Sequence, residues 1–290
     1  MSKILAIGRI GALLANTMKE YGEYDVFTFS QDEDANVTLP DLSNPEEYEE
    51  FDCDLKPYVR WLDKKKGSKL YCTICGGDLE TAMSLRLLQL AAHKNIEVLY
   101  VRPDTDSLSG YGKLHERTLY SVLQEYARSA LFSRTWLFSY LAIERTLGSD
   151  LSILEYDKTI IDVVARAICS IDLYRSGKKV PIKSTISQPY DIDRIATISI
   201  VNVKESIWVD LHPLRLIKER ELHYAFPTQD IQQNGKTILE IARNQDKAAT
   251  PEEGVPWALE TSYAIYETEH ETPFAYAVLL SSEIQNEDEV

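Results

Sequence analysis

The first predicted strand turns directly into the first predicted helix at Ile7-Gly8-Arg9-Ile10-Gly11-Ala12-Leu13-Leu14-Ala15-Asn16. Gly8 and Gly11 permit the tight backbone turn that lets a helix fold back onto the sheet. The N-terminus of such a helix has unpaired N–H groups and a partial positive charge, so it can bind an anion. The turn therefore predicts an α/β sheet with a candidate anion site at the carboxyl end of its first strand.

The same turn carries only part of a dinucleotide-binding fingerprint. G-x-G-x-x-G requires glycines where this chain has Ile10 and Leu13. Two interpretations stay open: a turn that binds no ligand, or an NAD(P) site in which Asp32 or Asp34, roughly 20 residues on, binds the ribose. G-x-x-x-x-G-K-[ST] does not occur in the sequence, which excludes a Walker-type P-loop.

A second glycine turn follows a later predicted strand, at Cys75-Gly76-Gly77-Asp78-Leu79-Glu80-Thr81-Ala82. Gly76 and Gly77 could present backbone N–H groups to a phosphate, but Asp78 and Glu80 place two carboxylates where that phosphate would lie. The residues therefore favour Asp78 as the N-cap of an ordinary helix over a phosphate site.

Composition excludes several classes of function. The 290 residues contain 31 Lys and Arg against 46 Asp and Glu, a formal net charge of −15. This excess repels phosphate backbones and anionic lipids, so neither nucleic acid nor a membrane surface is an expected partner. No apolar stretch approaches the roughly 20 residues that span a bilayer, so no membrane insertion is predicted.

The cysteines and histidines give no metal-binding pattern. Four scattered cysteines do not form a disulfide framework, which favours a reducing compartment and hence the cytoplasm. Cys72 and Cys75 form a C-x-x-C, but without a second cysteine pair they are predicted to be buried strand thiols. The five histidines are spread along the chain without an i, i+4 pair, so no metal site is predicted.

Short apolar runs alternate with helical spacing through the first two-thirds of the chain, which is typical of β-α units around a parallel sheet. Strands are predicted at 3–7, 25–29, 69–75, 97–101 and 135–138, and helices at 13–20, 79–92 and 113–129. The segment 40–66, which contains Pro45 and Pro57, is predicted to be an insertion with one or two short helices.

A long helix is predicted from about residue 152 to 175, ending at Gly177. Further strands are predicted at 195–203, 206–211, 221–226, 263–268 and 274–280, with one helix at 237–244. We therefore expect an α/β domain at 1–150, a connecting helix at 151–180, a smaller α+β domain at 181–282 and a solvated acidic tail at 283–290.

The order of these features resembles the tubulin/FtsZ superfamily over about residues 3 to 200. The resemblance lies in the two glycine turns, the strand–Arg–Pro turn at Tyr100-Val101-Arg102-Pro103, the strand at 135–138 and the long helix before a β-rich second half. It implies a doubly wound, mostly parallel Rossmann-like sheet, a long central helix and a smaller α+β C-terminal domain.

The resemblance also implies a GTP or GDP site and head-to-tail homopolymers. In that family the two glycine turns hold the nucleotide phosphates. The implied cofactor-binding residues are Gly8, Gly11, Asn16, Gly76, Gly77, Arg102 and Pro103. The acidic loop that reaches the next subunit's nucleotide in that family resembles Gln188-Pro189-Tyr190-Asp191-Ile192-Asp193. The implied catalytic residues are therefore Asp191 and Asp193. Two acids beside a proline also suit a simple turn.

The family signature G-G-G-T-G-[ST]-G is reduced here to two glycines followed by acids. The asparagine that binds guanine in the family also has no counterpart in Ser139-Tyr140-Leu141-Ala142-Ile143-Glu144. The leading hypothesis is therefore a divergent cytoskeletal or assembly protein with GTP binding and hydrolysis weakened or lost. The alternatives are an NAD(P)-dependent oxidoreductase that uses the Gly8 and Gly11 turn, and a nucleotide-free protein-interaction scaffold.

Overall fold

The computed structural model describes residues 2–64, 69–92, 94–147, 152–177, 179–186, 193–205, 207–247 and 259–285. The elements of the first half are β1 (Ser2–Ile7), α1 (Gly8–Tyr21), β2 (Tyr24–Ser30), β3 (Val37–Thr38), α2 (Pro45–Glu50), α3 (Lys56–Asp63), β4 (Lys69–Cys75), α4 (Ser84–Leu90), β5 (Asn95–Arg102), α5 (Gly110–Arg128), β6 (Arg134–Ser139) and α6 (Tyr140–Leu147).

The elements of the second half follow in the same way. They are α7 (Tyr156–Arg175), β7 (Lys183–Ser184), β8 (Ile195–Asn202), β9 (Ile207–Asp210), β10 (Glu219–Pro227), α8 (Thr228–Lys247), β11 (Glu260–Thr268) and β12 (Phe274–Ser281). In the described ranges, no helix combines the length and the apolar character that a membrane span requires.

All strands of the described residues join one sheet in the order β3-β2-β1-β4-β5-β6-β8-β12-β10-β11-β7, with β9 paired to β8. The part from β3 to β6 is wholly parallel, and β8 continues it in parallel beside β6. β12 runs antiparallel between β8 and β10, so the second half is mixed. The carboxyl ends of β1, β4, β5 and β6 consequently share one edge of the sheet.

Helices cover both faces of the sheet, which explains why β4 is a continuous buried run. Alternate residues of β1 point to opposite faces: Ile4 belongs to the cluster that includes residues of α1, α6 and α7, and Leu5 belongs to the cluster that includes residues of α2, α3, α4, α5 and α8. Each face has its own hydrophobic cluster. This two-sided burial is the doubly wound arrangement that the sequence predicts.

The long helix forms near its predicted position. A 3₁₀ turn at Ile153–Glu155 comes first, and α7 then continues to Arg175. Gly177 follows with φ of +70°, in the left-handed region that favours glycine after a helix. α7 packs beside α1 on one face of the sheet, where Ile160, Val164 and Ile168 are buried.

The five strands predicted in the first half are confirmed, and 40–66 contains α2 and α3 as predicted. The sequence missed the short elements α6, β3 and β7, which leave almost no periodic pattern. The helix predicted at 79–92 begins as a 3₁₀ turn, Leu79–Met83, and continues as α4. The helix predicted at 237–244 belongs to the longer α8, whose first half is too polar to show helical periodicity and which kinks at Asn234.

The sheet continues from β6 to β8 through the pairs Thr135↔Ile195 and Trp136↔Ala196. The division into two domains about the long helix stays a prediction. Gln285, which the sequence placed in a solvated tail, is buried and hydrogen-bonded to Gln124 of α5 through its backbone N–H at 2.8 Å.

Candidate functional site

The two glycine turns lie side by side because β1 and β4 are adjacent parallel strands, with Ile7 opposite Ile74. Gly8 has φ of +77° and begins α1. A Cβ on Gly11 would lie 2.6 Å from the Thr73 carbonyl oxygen, so only glycine lets α1 approach β4 this closely. The Thr73 hydroxyl donates a hydrogen bond to the Gly11 carbonyl at 2.8 Å, which fixes the helix start to the neighbouring strand.

The carboxylate of Asp78 occupies the N-terminus of α1. Its Oδ2 accepts a hydrogen bond from the Ile10 N–H at 2.9 Å, and a Cβ on Gly8 would lie 2.7 Å from the same oxygen. Asp78 stands at the N-cap position of the 3₁₀ turn that follows it, but its side chain makes no capping bond there. Asp78 therefore has the predicted N-cap position without a capping hydrogen bond of its side chain, and its carboxylate caps α1 instead.

The charge at this position is poorly solvated. Burial raises the pKa of Asp78 to about 7, against the lowering effect of the Ile10 N–H and the Arg9 guanidinium. Burial also raises the pKa of the neighbouring Glu80, which is 6% exposed. Two carboxyl groups with raised pKa values thus lie beside the helix start, where an anionic ligand would require positive potential.

Arg9 forms an ion pair with Asp157 and thereby links α1 to α7, and Asp157 also contacts α6. Its guanidinium binds Asp157 Oδ2 of α7 at 3.0 and 3.1 Å. The Tyr140 hydroxyl, at the start of α6, donates to Asp157 Oδ1 at 3.4 Å. The starts of α1, α6 and α7 are therefore linked at the same edge of the sheet as the glycine turns.

The second glycine turn is backed by the protein's own side chains. A Cβ on Gly76 would lie 2.0 Å from the Tyr100 hydroxyl oxygen and 2.7 Å from Glu116 Cγ. One on Gly77 would lie 3.2 Å from Leu108. Glycine is required at Gly76 for packing against β5 and α5, whether or not a ligand binds in front of it, whereas a Cβ on Gly77 would need only a small shift of the Leu108 side chain.

Arg102 and Pro103, two of the implied cofactor residues, lie beside the second turn. Arg102 Nε donates to Glu116 Oε1 at 3.1 Å, and its guanidinium lies 4.5 Å from the Tyr120 ring centroid. Pro103 is a near neighbour of Gly77, at 3.5 Å from the position of a Cβ there. The structure brings both to the same edge as Gly8 and Gly76, where Arg102 pairs with α5.

Asn16 is not among these neighbours. Its side chain is exposed and lines a polar pocket of about 290 Å³ between α1 and the end of β2. Asp32 and Asp34, the ribose ligands of the oxidoreductase alternative, line the same pocket. Since Asn16 lies eight residues after Gly8, about 12 Å along α1, it is more than two helical turns from the glycine that begins the helix.

The two implied catalytic acids have different outcomes. Asp191 lies outside the described residues, together with 187–190 and 192. Asp193 is buried just before β8, and its Oδ1 has no hydrogen-bond partner in the described part of the chain. Because β8 runs parallel to β6, Asp193 lies at the amino edge of the sheet, opposite the glycine turns. Within one copy it cannot act at those turns.

The C-x-x-C motif does not form a metal site. Cys72 and Cys75 are both buried, but they belong to the hydrophobic clusters on opposite faces of β4, because residues three apart on a strand point to opposite sides. Burial raises the pKa of both thiols. Over the described ranges, no group of three or more His, Cys, Asp or Glu side chains is placed to hold a metal ion.

No family model and no curated protein sequence matches the chain. Solved structures do match over nearly its whole length. The FtsZ dimer of M. jannaschii is 11% identical, with a TM-score of 0.66 over 97% of this chain and 88% of that one. CetZ2 from Haloferax volcanii is 13% identical, with a TM-score of 0.71 over 97% and 92%. TubZ from Bacillus thuringiensis serovar israelensis is 12% identical, with a TM-score of 0.67 over 97% and 86%.

The chain has the tubulin/FtsZ fold. This finding confirms the architecture that the resemblance implies, from the parallel sheet to the long helix and the mixed second half. The CetZ2 structure is a GTPγS-bound protofilament, and the TubZ structure is a GTPγS-form protofilament. The sequence did not predict that the Asp78 side chain accepts a hydrogen bond from the start of α1. The signal was present as an acid directly after Gly76-Gly77, but its partner lies 68 residues earlier.

Proposed function

We propose that this chain is a divergent cytoskeletal or assembly protein that associates with itself head to tail and whose GTP binding and hydrolysis are weakened or lost. The observation that carries the second part is the hydrogen bond from Ile10 N–H to the Asp78 carboxylate at 2.9 Å. It satisfies the backbone group that a phosphate at this helix start would need.

Electrostatics strengthens the argument against a nucleotide phosphate. A phosphate brought to the start of α1 meets the charge of Asp78, with Glu80 beside it. Like charges in a partly buried site repel more strongly than they would in water. The same obstacle faces the pyrophosphate of NAD(P), so the oxidoreductase alternative is not favoured by any contact at this turn.

Self-association is supported by the fold, because the similar CetZ2 and TubZ structures are protofilaments. Any hydrolysis retained through Asp191 and Asp193 would also need a second copy, because Asp193 lies at the sheet edge opposite the glycine turns. Stacking one edge on the other is a heterologous contact, and such contacts generate open filaments. We place these assemblies in the cytoplasm.

Sedimentation and thermal-shift measurements test both parts. We expect the wild-type chain to pellet at high protein concentration equally with and without GTP. We expect GTP, GDP, ATP, NAD and NADP to leave its melting temperature unchanged, since a ligand that binds only the native state would raise it. A rise with guanine nucleotides would contradict the proposed loss of binding. Absence of any assembly would leave the nucleotide-free scaffold as the better hypothesis.

A variant pair isolates the carboxylate. Asp78→Ala removes both the charge and the oxygen that accepts the Ile10 hydrogen bond, so this variant should gain a guanine-nucleotide-dependent rise in melting temperature. Asp106→Ala is the matched control, because the Asp106 side chain is 94% exposed. Unchanged melting of the Asp78 variant in GTP would show that this carboxylate is not what excludes the nucleotide.

A further inference from the structure

A groove of about 470 Å³ runs between α2 and α5, on the face of the sheet opposite α1 and α7. The 3₁₀ turn Leu79–Met83 lies between these two helices and contacts both. We call this site the α2–α5 groove. One wall carries Pro45, Glu46 and Glu49, and the other carries Tyr111, Leu114 and Thr118.

The α5 wall exposes large apolar side chains. Tyr111 and Leu114, three residues apart on the helix, are 67% and 64% exposed. The half-buried Val122 of α5 and Leu85 of α4 continue the apolar surface into the groove. Single exposed apolar side chains are normal on a protein surface, but neighbouring ones along a concave site indicate a contact surface.

The charge that lines the groove is negative. Among the described residues, the charged side chains of the lining are the carboxylates of Glu46 and Glu49. His115 also lines the groove, but burial lowers its pKa to about 4, so it carries no positive charge at neutral pH. The segment 41–55 that contains α2 has seven Asp and Glu and no Lys or Arg.

The cations of α5 lie away from the groove. Lys113 and Arg117 are each two residues from His115, so they point about 160° around the helix from it. Lys113 forms an ion pair with Asp106 at 3.5 Å. The α5 wall therefore presents apolar groups to the groove and directs its positive charge elsewhere.

The remaining nearby cation is bound by the end of α2. The Arg86 guanidinium donates to the carbonyl oxygens of Glu49 and Phe51 at 3.1 and 2.7 Å. Its single charge is outweighed by the seven acids of 41–55. Lys56 and Arg60 of α3 line a separate surface cavity.

We propose that the α2–α5 groove binds a basic amphipathic helix of a partner protein. Apolar side chains of that helix pack on Tyr111 and Leu114, and Lys or Arg beside them face Glu46 and Glu49. Burial of the apolar groups drives the association, and the opposite charges set the orientation of the helix.

The shape of the groove favours a helix as the occupant. Its lining comes from α2, the 3₁₀ turn, α4 and α5, and no strand of the described residues contributes to it. An extended peptide would therefore find no sheet edge to pair with. From Tyr111 to Val122 the groove follows α5 for about 16 Å, which accommodates about three turns of a bound helix.

This contact goes beyond self-association and does not depend on it. The groove lies over a face of the sheet, whereas the proposed stacking joins the two edges. A copy within an assembly therefore keeps the groove open to a different protein. The partner is recognised by its combination of apolar and basic side chains, with no nucleotide in the contact.

Fluorescence anisotropy with a labelled synthetic peptide tests the proposal on the full chain. The probe is a Leu and Lys peptide of about 14 residues with all leucines on one helical face. The control peptide has the same composition, with the leucines spread around the helix. In about 0.15 M salt, which screens distant charges, the probe should bind the wild type about tenfold more tightly than the control peptide.

Two double variants locate the binding site on separate walls. Tyr111→Ser with Leu114→Ser, and Glu46→Lys with Glu49→Lys, should each weaken probe binding about tenfold. Leu131→Ser, at a 57% exposed position outside the groove, is the control for the apolar wall. Glu20→Lys with Glu23→Lys changes the net charge equally at exposed positions at the end of α1. Both controls should bind the probe as the wild type does, and thermal melts should show all variants folded.

Three results would overturn the proposal. If the probe and the control peptide bind equally, the groove does not recognise an amphipathic helix. If the charge reversals at Glu20 and Glu23 weaken binding as much as those at Glu46 and Glu49, the attraction belongs to the whole acidic chain. If the probe does not bind and the Tyr111 and Leu114 variant loses self-assembly in sedimentation velocity, the occupant is a second copy of this chain.

Discussion

The buried carboxylate of Asp78 should make the stability of this protein depend on pH in a way that one substitution removes. Its pKa is about 7 in the folded chain, against an ordinary value of 3.8. Between these two values the folded state holds a proton that the unfolded state has lost. The free energy of unfolding therefore falls as the pH rises from 3.8 through about 7.

The magnitude follows from the same values. The interval between them corresponds to roughly 4 kcal/mol, at about 1.4 kcal/mol per pH unit. This value is already net of the stabilisation that the Ile10 N–H at the positive end of α1 gives the charged form. Asp78→Asn keeps an acceptor for the Ile10 N–H and carries no charge. It should therefore be more stable than the wild type by up to about 4 kcal/mol above neutral pH.

Urea denaturation of the two proteins measures the effect. The stability advantage of Asp78→Asn should grow by about 2 kcal/mol between about pH 5.5 and pH 8, because the folded wild type keeps its proton up to about pH 7 while the unfolded chain has already lost it. Asp106→Asn, at an exposed position, should show no such growth. If the free energy of unfolding of the Asp78 variant exceeds that of the wild type by the same amount at both pH values, or does not exceed it, the claim that ionisation of Asp78 destabilises the fold is refuted.

Two further predictions concern packing and a buried ion pair. Gly76→Ala should destabilise the fold by about 2 kcal/mol, because the new Cβ meets the Tyr100 hydroxyl. The same substitution should cost less in a Tyr100→Phe background, which lacks that hydroxyl. An equal cost of Gly76→Ala in both backgrounds of the double-mutant cycle would contradict this. Arg175→Ala should cost about 3 kcal/mol by leaving the Glu221 carboxylate buried without its 2.6 Å partner. Burial alone would raise the Glu221 pKa, but His223 and Arg175 hold it at about 2. The ion pair therefore stabilises the fold fully above pH 4.5, and this stabilisation is lost as the pH falls toward 2. Urea titrations at several pH values should show that the free energy of unfolding of Arg175→Ala falls less steeply in acid than that of the wild type.

Much of the architecture follows from local patterns in the chain. The five strands of the first half are apolar runs bounded by turn residues, and α7 ends where Gly177 allows a left-handed residue. Periodicity and turn chemistry involve neighbouring residues, so they are visible without the fold. The short elements β3 and β7 were missed because two residues carry no period, and they form only when a longer strand offers them an edge.

The candidate site also has features that the sequence predicts and features that only the fold produces. The glycine turns and the acids after the second one are visible in the sequence, and they predict a site with an eroded phosphate cradle. The bond from Ile10 to Asp78 is not visible, because it joins residues 68 apart and exists only since β4 pairs with β1. Asn16 shows the reverse, because the resemblance implied that it joins Gly8 in one site, whereas its side chain lines a pocket with Asp32.

Local residue patterns thus established the order of strands and helices and the kind of turn at each strand end. They also marked Asp78 and Glu80 as acids directly after the second glycine turn. Which carboxylate meets which helix depends on strand pairing and packing between distant segments. The physical reason is that hydrogen bonds and burial act through space, whereas propensities and turn chemistry act along the chain.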